Sequence, residues 1–133
     1  MRNIQKLLPL SFLMLFLVGC DPPHDIDFVN LTDAEAKIKI KINPKIEPNP
    51  FRENLESDSI VFNLKPKDTA SIYFGIGTWS EREVNEVVKS IETIEVETKN
   101  IKTIYKTKES ISEILNENQK GLWWKTKIEI GIK

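Results

Sequence analysis

The chain has 133 residues, 40% hydrophobic and 29% charged, with 19 lysines and arginines against 20 acids for a formal net charge of −1. That balance lacks the basic surplus that nucleic-acid binding requires, and one cysteine cannot form an intramolecular disulfide. One histidine and no Gly-x-Ser-x-Gly segment leave the common Ser/His and Cys/His nucleophile arrangements without parts.

Arg2 and Lys6 precede an apolar run, Leu7 to Val18, interrupted only by Pro9 and Ser11, which is the layout of a secretory signal. The run is too short to cross a bilayer, because Gly19, Cys20, Asp21, Pro22 and Pro23 end it before the roughly 20 apolar residues that a spanning helix needs. Leu17, Val18, Gly19 and Cys20 form a complete lipobox, and this segment resembles bacterial lipoproteins. The resemblance implies cleavage before Cys20, a diacylglyceryl thioether on its sulfur and usually a further acyl chain on the new amino group. Two or three chains, at about 0.8 kcal/mol per buried methylene, hold a protein to a membrane almost permanently. The expected address is the cell envelope, on the outer side of a bacterial membrane. Asp21 resembles the inner-membrane retention signal of enterobacterial lipoproteins, a rule that does not extend to all bacteria, so inner and outer membranes stay open.

Three regions are expected: a signal peptide over 1–19, a lipid-anchored tether over 20–27 and a single β-rich domain over 28–133. In the tether, His24 with Asp21, Asp25 and Asp27 gathers potential metal ligands. A proline-containing linker gives them no fixed geometry, so neither a metal nor any cofactor beyond the lipid on Cys20 is expected.

Along the domain, Ile26–Asn30 and Ala36–Ile42 read as a hairpin around Leu31-Thr32-Asp33-Ala34. Ala36, Ile38, Ile40 and Ile42 alternate with Lys37, Lys39 and Lys41, which puts one face on a core and three ammonium groups in water. Residues 44–58 contain Pro44, Pro48 and Pro50 without periodicity and read as a long loop. Its Pro48, Pro50, Phe51 and Arg52 are candidates for partner binding if Phe51 is exposed, and for a packed surface loop if it is not. Ser59–Leu64 and Ala70–Phe74 read as a second hairpin across Lys65-Pro66-Lys67-Asp68.

Ser80 and Glu83 form a capping box ahead of Val84, Val87, Val88 and Ile91 at helical spacing. A turn at Lys99-Asn100 would pair Thr98 with Ile101, Glu97 with Lys102, Val96 with Thr103 and Ile94 with Tyr105, which agrees on both faces. Ser110 and Glu113 suggest a cap for a second short helix carrying Ile111, Ile114 and Leu115. Trp124, Thr126, Ile128, Ile130 and Ile132 share the inner face of a last strand, leaving Trp79 and Trp123 as the surface aromatics. Seven strands and two helices predict an antiparallel β-sandwich or partly open barrel with two short covering helices, with a split α+β sheet as the alternative.

Gly75-Ile76-Gly77-Thr78-Trp79-Ser80 between a strand and a helix, with Glu95 downstream, imitates a dinucleotide-binding turn. Ser80 stands where the third glycine belongs and the neighbouring strands are antiparallel in pattern, so the segment reads as a glycine-rich strand exit. Glu92, Glu95 and Glu97 alternate along a wet strand face. Lys37, Lys39 and Lys41 could meet anionic headgroups but suit a solvated strand better. The function expected is that of a non-enzymatic, lipid-anchored envelope protein that binds an envelope protein or peptide through the proline-containing loop or a sheet edge. One alternative is a small inhibitor or immunity lipoprotein acting on a hydrolase, although the diagnostic motif of lysozyme-inhibitor lipoproteins is absent. Another is a carboxylate-dependent envelope hydrolase, which needs two acids converging in a cleft.

Overall fold

A computed structural model describes residues 22–121 and 123–133. The lipobox residues Leu17, Val18, Gly19 and Cys20 lie outside them. The described chain is mainly β: two open four-stranded sheets with two short helices. One sheet contains β2 (Ala36–Ile42), β3 (Ser59–Leu64), β5 (Ile91–Thr98) and β6 (Lys102–Tyr105) in the antiparallel order β3-β2-β5-β6. The other contains β1 (Pro23–Asn30), β4 (Thr69–Ile76), β7 (Gln119–Lys120) and β8 (Lys127–Ile132) in the order β4-β1-β8-β7. This second sheet is mixed, because β1 and β8 run parallel.

Strict alternation of β-branched residues makes the inner faces. Ala36, Ile38, Ile40 and Ile42 of β2 are buried while Lys37, Lys39 and Lys41 stay in solvent, as the period-two pattern requires. Ile26 and Phe28 of β1, Ile72 of β4 and Ile128, Ile130 and Ile132 of β8 supply the opposing layer. Each such side chain contributes about 1.5–3 kcal/mol on full burial. Helix α1 (Glu81–Ser90) buries Val84, Val87 and Val88, and α2 (Lys108–Glu117) buries Ile111 and Leu115. Both fold faces expected of the β5–β6 hairpin are present, with Glu97 opposite Lys102, Val96 opposite Thr103 and Ile94 opposite Tyr105. The Ser80–Glu83 capping box is also formed in both directions.

Several sequence expectations change. β1 begins at Pro23, so most of the tether expected over 20–27 is strand. Neither of the first two hairpins exists: β1 and β2 lie in different sheets, as do β3 and β4. The turns were legible, but they are arches from one sheet to the other, and an amphipathic strand satisfies its pattern equally well in either arrangement. The strand antiparallel to β2 across the long loop is β3, with Ile40 opposite Ile60. Thr107, rather than Ser110, caps α2, its hydroxyl accepting from the Ser110 amide at 3.1 Å. β7, only two residues long, gave no periodic signal.

Asn30 joins the two arches. Its side chain is wholly buried at the end of β1, and its Nδ2 donates to the carbonyls of Ala34 at 2.8 Å and Lys65 at 3.0 Å. Its Oδ1 accepts from the Thr32 amide at 3.1 Å and the Thr32 hydroxyl at 2.7 Å. The Asn30 amide also donates to Asp68 O at 2.8 Å, and Leu31 N to Ile132 O at 2.9 Å. Asn30→Asp is nearly isosteric but replaces the donor with an acceptor facing carbonyl oxygens. It is expected to cost at least as much as Asn30→Ala, about 3 kcal/mol or more in urea unfolding. The Asp variant should recover part of the loss on acidification, which returns a proton to the carboxyl.

The long loop is held from inside. Phe51 is 0% exposed and meets Phe74 edge-to-face with ring centroids 5.3 Å apart, while Asn49 Oδ1 accepts from the Phe51 amide at 3.0 Å. A 3-10 turn, Arg52–Asn54, follows, and Asn54 Nδ2 donates to Tyr73 O on β4 at 3.3 Å. Phe51→Ala should lower the unfolding free energy by about 3–5 kcal/mol, a large part of the 5–15 kcal/mol typical of a domain this size. Equilibrium denaturation measures it.

Candidate functional site

A cleft of about 340 Å³ lies between the β5–β6 hairpin, α2 and the C-terminal end of β8. Val96, Thr103 and Tyr105 form its sheet wall, Ser110, Glu113, Ile114 and Glu117 its helix wall, and Ile130, Ile132 and Lys133 its floor and far end. Its lining mixes apolar side chains such as Val96, Ile114 and Ile130 with polar ones such as Thr103, Glu113 and Glu117. Ile101, at the hairpin tip, is 60% exposed and lines the same cleft.

Beside the cleft runs a free edge. Among the described residues β6 pairs only with β5, and Thr98 N donates to Ile101 O at 2.8 Å. From that bonded pair the antiparallel alternation turns the backbone groups of Thr103 and Tyr105 toward β5 and those of Lys102 and Ile104 outward. The edge's outer side-chain face carries Ile104 and the Lys102 ammonium, which lies 3.0 Å from Glu95 and 3.7 Å from Glu97. Hydrogen bonding to Lys102 leads the effects that hold the Glu95 carboxyl below its ordinary range. These glutamates are therefore a paired, wet strand face.

The proline-containing loop is a different kind of element. Phe51 is in the core, and Pro48, Pro50 and Arg52 lie on the surface above it, with Arg52 paired to Glu47. The exposed Phe51 that partner binding through this loop called for is absent.

His24 and its neighbours also differ from a solvated tether. The imidazole is buried against Trp79 at a centroid distance of 4.0 Å, with Phe74 at 6.3 Å. Burial pulls its pKa down, opposed by the charges of Glu83 and Asp25. Trp79 is core rather than surface, and its Nε1 donates to Asp25 O at 3.2 Å. Asp25 and Asp27 project from the opposite face of β1. Asp27 is buried and pairs with Lys127 at 2.8 Å, and burial followed by the Asp27 charge pushes the Asp25 carboxyl up against the opposing pull of Lys127. The two acids act on each other through their charges, and neither lines the cleft. Among the described residues no group of three or more His, Cys, Asp or Glu side chains is arranged to hold a metal. Gly75 and Gly77, both at positive φ, end an antiparallel strand, so the Gly75–Ser80 segment is a strand exit and not a dinucleotide-binding turn.

The aromatic assignment is reversed for Trp79 and Trp124, while Trp123 is on the surface as expected. Trp124 is 71% exposed and Trp123 90% exposed, because β8 starts at Lys127 instead of continuing the alternation back to Trp124. The cleft itself was not foreseeable from spacing, since its walls come from three segments whose docking depends on the arches.

Comparison with known protein families, curated proteins and solved structures finds no match.

A neutral, buried His24 makes stability pH-dependent with a definite sign. Its folded pKa lies below the unfolded value near 6.5, so the unfolded chain takes up the proton first as pH falls. Stability is full above about pH 6.5 and declines below it, down to the folded pKa. Urea midpoints measured from pH 7.5 downward should fall more steeply for the native protein than for His24→Phe. Equal slopes would remove His24 as the cause.

Proposed function

We propose that this chain is a lipid-anchored cell-envelope protein whose β-rich domain is a non-enzymatic module that receives an extended segment of another envelope protein or peptide. The anchor is Cys20, acylated within the Leu17-Val18-Gly19-Cys20 lipobox. The observation carrying the binding role is the free β6 edge running beside the cleft. A strand added along β6 would use the outward backbone groups of Lys102 and Ile104 for affinity. Its alternate side chains would enter the cleft against Thr103, Tyr105 and Ile114, giving selectivity. This reading favours the sheet edge over the loop of Pro48, Pro50, Phe51 and Arg52, whose aromatic anchor is engaged internally.

The test is photo-crosslinking in living cells from a reactive residue introduced at Thr103 or, for comparison, at Arg52. Adducts are expected from Thr103 and not from Arg52. Ile104→Pro should reduce the Thr103 adduct about tenfold, since it removes one outward N–H while leaving the β5 ladder intact. Circular dichroism checks that the variant remains folded. Adducts from Arg52 alone, or Thr103 adducts indifferent to Ile104→Pro, would defeat the assignment. Cys20→Ala should abolish metabolic fatty-acid labelling, and retained label would remove the anchor.

A further inference from the structure

We propose that Trp123 and Trp124, with Ile76 at the same end of the mixed sheet, form a second membrane contact that seats the domain on the lipid surface. The proposal rests on the Cys20 anchor and adds to it a fixed orientation.

The placement follows from backbone bonds at one end of the mixed sheet. Cys20 is two residues ahead of Pro22, so the anchored residue stays within about 7 Å of it even when fully extended. Pro22 O accepts from Gly77 N at 3.2 Å, and Pro23 lies opposite Ile76 at the exit of β4. Two residues beyond Gly77, Trp79 N donates to Lys125 O at 2.6 Å, which ties the β7–β8 turn to the same end. Thr126 N donates to Lys120 O at 3.2 Å across that turn. A Cβ on Gly121, at φ +143°, would fall 1.9 Å from the Trp124 carbonyl oxygen, so glycine is what lets the turn close this tightly.

The two indoles are thus carried on a braced turn yet are 90% and 71% exposed, and Ile76, at the β4 exit on the same end of the sheet, is 64% exposed. Exposed Lys120 and Lys125 flank them in sequence. Paired tryptophans with adjacent lysines match the chemistry of the headgroup region, where the ring is half desolvated, the indole N–H stays hydrated and the ammonium meets lipid phosphate. A bilayer is the occupant that the short link to Cys20 places against this end. The cleft takes in Ile130 and Ile132 toward the other end of β8, roughly 10–17 Å along the strand from Lys127.

The experiment uses the full acylated protein, purified from membranes and reconstituted into phosphatidylethanolamine–phosphatidylglycerol vesicles with brominated acyl chains. Tryptophan emission should fall roughly two-fold or more relative to unbrominated vesicles. Trp123→Ala/Trp124→Ala should lose most of that quenching, leaving buried Trp79 as the internal reference, with an unchanged thermal midpoint. Intact mass reports the anchor separately. Acylated, vesicle-bound protein with unquenched emission overturns the second contact and leaves the anchor standing. A mass without acyl chains overturns the anchor and the seating that rests on it. A blue shift that depends on protein concentration and not on lipid assigns the indoles to a second copy of the chain and also overturns the proposal.

Discussion

The sandwich depends on a single buried carboxamide. Two chain segments, β1 to β2 and β3 to β4, leave one sheet and enter the other at the same place, and each exposes peptide groups to an apolar interior as it crosses. Asn30 satisfies both: Nδ2 serves the Ala34 carbonyl of the first arch and the Lys65 carbonyl of the second, while Oδ1 takes the Thr32 donors. Hydrophobic burial drives the sheets together but is indifferent to how the strands connect. Directional bonds from a group that cannot reach water select the arched path. Lys67 reinforces the junction outside, donating from Nζ to Leu31 O at 2.7 Å and pairing with Asp33 at 3.0 Å.

What was legible in the sequence and what was not divide along this line. Period-two alternation announced β2, β5 and β8, and charge pairing announced the β5–β6 register, because those signals are local and are decided by neighbours within one element. The arches were misread since a turn residue says that the chain reverses, not which strand it then meets. His24, Asp25 and Asp27 were misread for a related reason. Two prolines and three acids look like linker composition, and only pairing with both β4 and β8 turns residues 23–27 into the centre of a sheet. Trp124 failed by extrapolation: a good alternating run was carried past the point where Gly121 and the β7–β8 turn end it.

Edges explain the division of labour between the loop and the hairpin. An open sheet must manage unpaired backbone, and the proline-containing loop does so at β4, where Phe51 anchors against Phe74 and Asn54 engages the Tyr73 carbonyl. A loop longer than most compact domains carry is thus accounted for by packing and edge cover. β7 is too short to template anything. β6 receives no such cover, and its four residues border the cleft on the inner face and an ion-paired surface on the outer face. A short edge resists indiscriminate sheet extension, while an adjoining cleft of mixed polar and apolar lining would discriminate among segments by their alternate side chains.

Parallel pairing of β1 with β8 gives the molecule its polarity. Because β1 and β8 run in one direction, the start of β1 lies beside the start of β8, and their ends lie together at the opposite pole. The proposed anchor ahead of β1 would therefore constrain the pole with Lys127 and the tryptophan turn, whereas Ile130 and Ile132 carry the cleft floor away from that pole. An antiparallel β1–β8 pair would have put the end of β8, and the cleft with it, beside the anchor and against the headgroups. Given the proposed anchor and binding edge, the mixed sheet would reconcile a short tether with an accessible edge, since separation would come from strand length instead of linker length.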